Sequence, residues 1–156
     1  MRTTIYMLGL VLCAQFSVCA QSYEHRVIAA VIVAEAADQG TTGMRAVGEV
    51  IHARSVKLDC RPLAVVTQRN RSSGVWAFSC LNGVGPKHLV IRLQNSPEFA
   101  TALRIARQVV DQPAHLGNTT RGATFFTKKS ETPKWARGKR PTVVIGDHAF
   151  YRLPVP

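Results

Sequence analysis

The strongest constraint in this 156-residue sequence is the run Val27-Ile-Ala-Ala-Val-Ile-Val-Ala34. At helical spacing, Val27, Ile28, Ala30, Val31, Ile32 and Ala34 cover more than half of a cylinder's circumference. A helix with so little polar surface belongs in the interior, with other elements around it. The run predicts a nearly buried helix over Tyr23 to Ala37, ended by Gln39-Gly40.

A second helix is predicted from a Thr41 or Thr42 cap to about Val56, with Met44, Val47, Val50 and Ile51 as its apolar stripe. Arg45, Glu49 and Arg54 fall mostly on its other faces, and Glu49 is read as solvated or salt-bridged. Pro62 can open a short third helix through Gln68. Residues 69–95 read as irregular, with Gly74, Gly83, Gly85 and Pro86 around Trp76 and Phe78. Ser96-Pro97 then opens a helix to about Asp111. The texture changes after that. Gly122 to Thr127 and Thr142 to Tyr151 are strand-like runs, and Gly146 marks a bulge or a close backbone contact in the second. Helices first and a small antiparallel sheet last make an α+β fold.

The first twenty residues are read apart from the fold. Arg2 gives a positive start, Ile5 to Cys19 is mostly apolar, and Val18-Cys19-Ala20 offers small residues for cleavage. The expectation is a signal peptide over residues 1–20 and a single domain over 21–156. No stable membrane insertion is expected after cleavage. Cys13 and Cys19 would leave with the leader, and Cys60 and Cys80 would remain as an even pair in an exported protein. A disulfide between them is expected, contributing roughly 3 kcal/mol through loop entropy.

Lys and Arg number 20 against 9 Asp and Glu, a formal net charge of +11. An anionic partner is expected, and nucleic acid, anionic lipid and cell-wall polymer all qualify. No nucleic-acid motif accompanies the charge, so nucleic acid is not the expected partner. The histidines show no metal-ligand spacing, so neither metal nor cofactor is expected.

Glu35 is the candidate acid. It shares a helical face with Ile28 and Ile32, near the helix's C-terminal end. Apolar neighbours and the helix terminus both oppose a negative charge there. A carboxyl group that keeps its proton is what general-acid cleavage of a glycosidic bond uses; the apolar-pocket glutamate of lysozyme is the pattern followed. The structural alternative is a helix-edge carboxylate paired with Arg45, Arg54 or another base.

Three segments in order carry a resemblance. They are Ala34-Glu-Ala-Ala-Asp-Gln-Gly-Thr-Thr-Gly-Met-Arg-Ala-Val-Gly-Glu-Val-Ile-His-Ala-Arg54, then Trp76-Ala-Phe-Ser-Cys-Leu-Asn-Gly83, then Gly122-Ala-Thr-Phe-Phe126 with Pro133-Lys-Trp-Ala136 and Ile145-Gly-Asp-His-Ala-Phe-Tyr151. Over roughly residues 25 to 152 the chain resembles the cell wall hydrolases of the spore cortex-lytic (SleB) type. The resemblance implies a lysozyme-like or lytic-transglycosylase-like α+β fold and peptidoglycan as substrate. It places the catalytic glutamate on Glu35. It also implies cleavage of the β-1,4 bond between N-acetylmuramic acid and N-acetylglucosamine, by a transglycosylase route with one acid/base. Relatives often carry His or Tyr where Phe125-Phe126 stand, so Thr124 and Thr127 are the polar candidates on that strand.

Asp38 is either a second site carboxylate or a turn residue. Trp76 and Trp135 either stack on sugars or pin loops. Phe78 and Ser79 belong to the second segment and are candidate substrate contacts. His148 either binds sugar hydroxyls or holds a loop. The basic stretch Lys128 to Arg140 is a solvated loop or an attractor of wall glycan. The expected protein is a monomeric, exported enzyme, periplasmic or secreted. Its rivals are a non-catalytic binder of anionic wall polymer and, less favoured, a nucleic-acid binder.

Overall fold

The computed structural model describes residues 22–70 and 72–155. The leader read over residues 1–20 lies outside these residues.

Helix α1 (Tyr23–Ala36) is the hub. Ser22 caps it by accepting a hydrogen bond from the His25 N–H, so the first turn closes cleanly. Residues Val27 to Ile32 are fully buried, and α2 (Gly40–Leu58), α3 (Pro62–Val66), α4 (Pro86–Leu93) and α5 (Phe99–Asp111) all pack on α1. Two polar ties fix its start. Buried Glu24 binds Arg61 and accepts the Leu63 N–H, which anchors α3. His25 binds Asp111 at 2.9 Å, which anchors the end of α5.

Helices α2 and α5 meet at Gly48. A Cβ there would stand 2.8 Å from Ile105 Cγ2, so only a bare backbone permits this approach.

The chain then forms a three-stranded antiparallel sheet of order β1-β3-β2, with β1 at Phe125–Lys128, β2 at Val143–Ile145 and β3 at His148–Tyr151. Phe126 pairs with Phe150 and Thr127 with Ala149, so alternate residues face opposite sides. One side sets Phe126, Val143, Ile145 and Phe150 against Ala46 and Val50 of α2. The other packs Phe125, Ala149 and Tyr151 with Trp135 and Ala136. The expected α+β layout is the one formed, with the helical part and the sheet meeting along α2.

Several boundaries differ from expectation. The irregular stretch contains α4, opened by Pro86. Helix α5 starts at Phe99 rather than at Pro97, because the Phe99 N–H closes a turn on Ser96 O at 3.1 Å. The run from Thr142 to Tyr151 is a hairpin rather than one strand. Its loop is Gly146-Asp147, with Gly146 at φ +55°, the first central position of a two-residue turn that needs positive φ.

Glu49 is a correction. It is 4% exposed and has no cationic partner among the described residues. Instead it accepts four hydrogen bonds, from the N–H and Oγ1 of both Thr119 and Thr120, at 2.7–3.0 Å. A loop of the sheet-bearing half thereby covers a face of α2 that its own sequence reads as open.

Candidate active site

Glu35 stands where the apolar run of α1 gives out. Ala34 before it is exposed, Ala36 closes the helix, and the chain turns through a 3₁₀ segment at Ala37–Gln39 into α2. The side chain is half-buried. Its Oε1 atom is buried without a hydrogen-bond partner, and no ion pair reaches the carboxyl group among the described residues. The paired, helix-edge alternative is therefore not what forms.

Two cavities meet at Glu35. One, of about 310 Å³, is largely aromatic, lined by Arg54, Phe78, Phe125, Phe126 and Trp135 with Glu35. The other, of about 420 Å³, is polar, with Asp38, Gln39, Lys128, Lys129 and His148 around the same Glu35. Helices supply the acid, and the sheet and its loops supply most of the walls.

The aromatic rings fall into two groups, tilted or edge-on to one another. Phe125 lies 5.3 Å from Trp135, which meets Tyr151 edge-on at 5.4 Å. Phe126 lies 6.4 Å from Phe78. On the polar side, His148 meets Phe126 edge-on at 5.4 Å, is 5% exposed and leaves Nδ1 without a partner. Lys129 bonds to Asp147 at 2.7 Å, and that bond and charge hold the Asp147 carboxyl below its ordinary range. The Asp147 N–H donates to Gln39 Oε1 at 2.7 Å, seating the hairpin against the 3₁₀ turn.

Of the residues singled out in the sequence, Glu35, Phe78, Ser79, Thr124 and Trp135 line the aromatic cavity, and Asp38 and His148 the polar one. Asp38 is exposed. The Thr124 hydroxyl is already engaged, donating to Leu153 O at 2.6 Å and accepting from the Leu153 N–H at 3.0 Å. Two residues line neither cavity. Thr127 is buried with its hydroxyl 3.4 Å from Glu131. Trp76 lies beneath Arg69, whose guanidinium is 3.8 Å from the ring centroid, and its N–H donates to Asn82. Trp76 thus pins its loop, as one of its two readings has it.

The expected disulfide is not formed: Cys60 and Cys80 are free thiols. Cys60 follows Asp59 at the end of α2. Cys80 lies in the 3₁₀ turn Ser79–Leu81 beside Glu35. Burial, and after it the neighbouring Glu35 carboxylate, push the Cys80 thiol far above its ordinary range. Among the described residues no three His, Cys, Asp or Glu side chains converge as a metal set.

Among the site residues that sequence reading did not assign are Arg54 and Gln39. The motif ending Ala53-Arg54 was the available signal for the first; Gln39 was read as part of a helix stop and as unable to serve as a base.

The model of the Cell Wall Hydrolase family matches residues 38–151. That span is most of the chain. The protein belongs to the Cell Wall Hydrolase family. The resemblance read from the three ordered segments is thus confirmed at the level of the family. No curated protein and no solved structure matches. The matched span of this cell wall hydrolase begins three residues after Glu35 and takes in the site residues that α2, the Phe78 loop and the sheet contribute. The family is one of hydrolytic enzymes acting at the cell wall, outside the cytoplasmic membrane. None of the described helices is long and apolar enough to cross a membrane.

Proposed function

We propose that this cell wall hydrolase cleaves the β-1,4 bond between N-acetylmuramic acid and N-acetylglucosamine in peptidoglycan, with Glu35 as general acid and base. The observation that carries the reading is the setting of Glu35: a carboxyl group with no ion-pair partner among the described residues, at the junction of two cavities, with Oε1 buried and the Cys80 thiol as its near neighbour. A glycan laid across both cavities would bring a glycosidic oxygen over it. The aromatic wall suits the apolar faces of sugar rings, and Trp135 is its most substantial member.

Protonated Glu35 gives its proton to the leaving oxygen as the bond to the muramyl C1 breaks. The resulting carboxylate takes the proton of the muramyl C6 hydroxyl, whose oxygen closes on C1 to give a 1,6-anhydro sugar. This route uses one carboxyl group, whereas ordinary hydrolysis uses two. Among the described residues Glu35 is the one carboxyl group lining the aromatic cavity, and on the polar side Asp147 is bound to Lys129. Asp38 is the remaining candidate for a base that activates water. Export by the leader at residues 1–20 and action as a monomer belong to this reading.

Mass spectrometry of the fragments released from purified murein tests it. The expected products carry 1,6-anhydro ends, and Glu35→Gln is expected to lower release by about 10²–10⁴-fold. Reducing ends that vanish in Asp38→Asn would assign hydrolysis instead. Unchanged release by Glu35→Gln would remove Glu35 from the chemistry.

A further inference from the structure

Arg54 is a buried cation with no counter-ion among the described residues. It projects from α2 into the wall of the aromatic cavity and is 9% exposed. Its guanidinium lies 5.9 Å from the Phe78 ring centroid and 5.5 Å from that of Phe125. One nitrogen donates to Gln68 Oε1 at 2.9 Å, and Nε is buried with no partner. No carboxylate lies within 4.0 Å of it among the described residues. Burial works against its charge.

Such an arrangement is costly unless something completes it. A guanidinium has five N–H donors in a planar fork, and phenyl faces attract it without accepting those hydrogen bonds. Glu35 lines the same cavity but does not pair with it. A buried charge left without its partner is ordinarily destabilising, so an unpaired guanidinium in a cavity wall suits an anionic ligand that completes it. The Phe78 and Phe125 rings hold the fork in place and keep water from weakening it, which favours a charged, bidentate acceptor over a hydroxyl.

We propose that Arg54 binds a carboxylate carried on the wall glycan, making it a specificity residue of the cleft. The inference rests on reading this cavity as the glycan site. A wall glycan offers that group from two sources. One is the lactyl carboxylate of a muramic acid that has lost its peptide, and the other is a carboxylate of an attached stem peptide.

The test uses the full chain, labelled with ¹⁵N, and three disaccharides of N-acetylglucosamine linked to N-acetylmuramic acid. None contains the bond proposed for cleavage. The first has a free lactyl carboxylate, the second has it as a neutral carboxamide, and the third carries a stem peptide. A carboxylate-bearing ligand is expected to bind about tenfold or more tightly than the carboxamide, as a charge-assisted bidentate pair would give. The Arg54 Nε–H resonance, assigned by its loss in Arg54→Lys, is expected to move with that ligand and not with the carboxamide. Preference for the first ligand assigns the lactyl group, and preference for the third assigns the peptide. Equal binding of all three, or a preference that leaves the Nε–H resonance in place, would overturn the proposal and leave Arg54 as a brace for the two rings. The ligand comparison needs no variant, so misfolding of Arg54→Lys does not void it. Murein release by Glu35→Gln reports on the acid separately: loss of the carboxylate preference leaves that result standing, and the converse also holds.

Discussion

Gln39 and Gly146, 107 positions apart in the chain, are in such close contact that a methyl group at Gly146 would stand 2.2 Å from Gln39 Oε1. The same oxygen accepts the Asp147 N–H at 2.7 Å. Gly146→Ala therefore meets two obstacles, this contact and φ +55°. A loss of about 1–3 kcal/mol in urea unfolding is expected, with reduced murein release because His148, two residues on, lines the polar cavity. Gln39→Ala in the same chain should restore part of the stability, by removing the contact but not the backbone strain. No coupling between the two substitutions would show that the contact carries no energy.

Cys80 is expected to resist alkylation in the folded protein. The thiolate is the reactive form, and burial together with Glu35 keeps the thiol protonated. Iodoacetamide at about pH 8 should leave Cys80 unmodified until denaturant is added, as read by peptide mass spectrometry. The sign for stability follows from the same shift. The ordinary value is 9.0 and the folded value lies above it. Below that pH both states hold the proton and the contribution is constant. Above it the unfolded chain loses the proton first, so stability falls as pH rises, by at most about 1.4 kcal/mol per pH unit for one group. Cys80→Ala should flatten this alkaline limb.

Glu49→Gln tests the buried tie between α2 and the loop at Thr119-Thr120. One carboxylate oxygen becomes an NH₂ group, so one backbone N–H loses its acceptor and faces a donor, while the threonine hydroxyl beside it must turn round to accept. A loss of about 3 kcal/mol in urea denaturation is expected. A loss below about 1 kcal/mol would mean that other contacts hold the loop.

The two tryptophans should separate by role. Trp135→Ala is expected to lower kcat/KM on murein about tenfold or more, by removing a ring from the aromatic cavity. Trp76→Ala should lower the unfolding midpoint and leave kcat/KM within about threefold, because that ring lies under Arg69 outside both cavities. In Trp76→Phe the remaining indole should report glycan binding by fluorescence. Equal kinetic losses from both alanine variants would contradict the assignment.

Helix α1 was legible because an unbroken apolar run has few ways to be arranged, and Glu35 because it ends that run. Helix α4 was obscured by its length and composition. It buries only Leu89 and Val90, and the glycines before it look like loop, although Pro86 marked its start. The C-terminal hairpin was read as one strand because its loop has only two residues. Glu49 was misjudged and the burial of Arg54 was missed for a common reason. Helical periodicity reports what a helix's own apolar stripe covers, and it cannot report a loop 70 residues away or two phenyl rings from other segments closing over a charged face. The two cysteines show the limit of counting: even number and export suggest a bridge, but each side chain follows its own local turn.

The acid belongs to the helices, while Trp135, Lys129 and His148 belong to the sheet and its loops. Working competence therefore resides in the seam between two layers rather than in either one. Thermal or chemical stress that parts this seam would silence the protein while α1 and its apolar surroundings are still intact, so inactivation should precede the loss of helical signal.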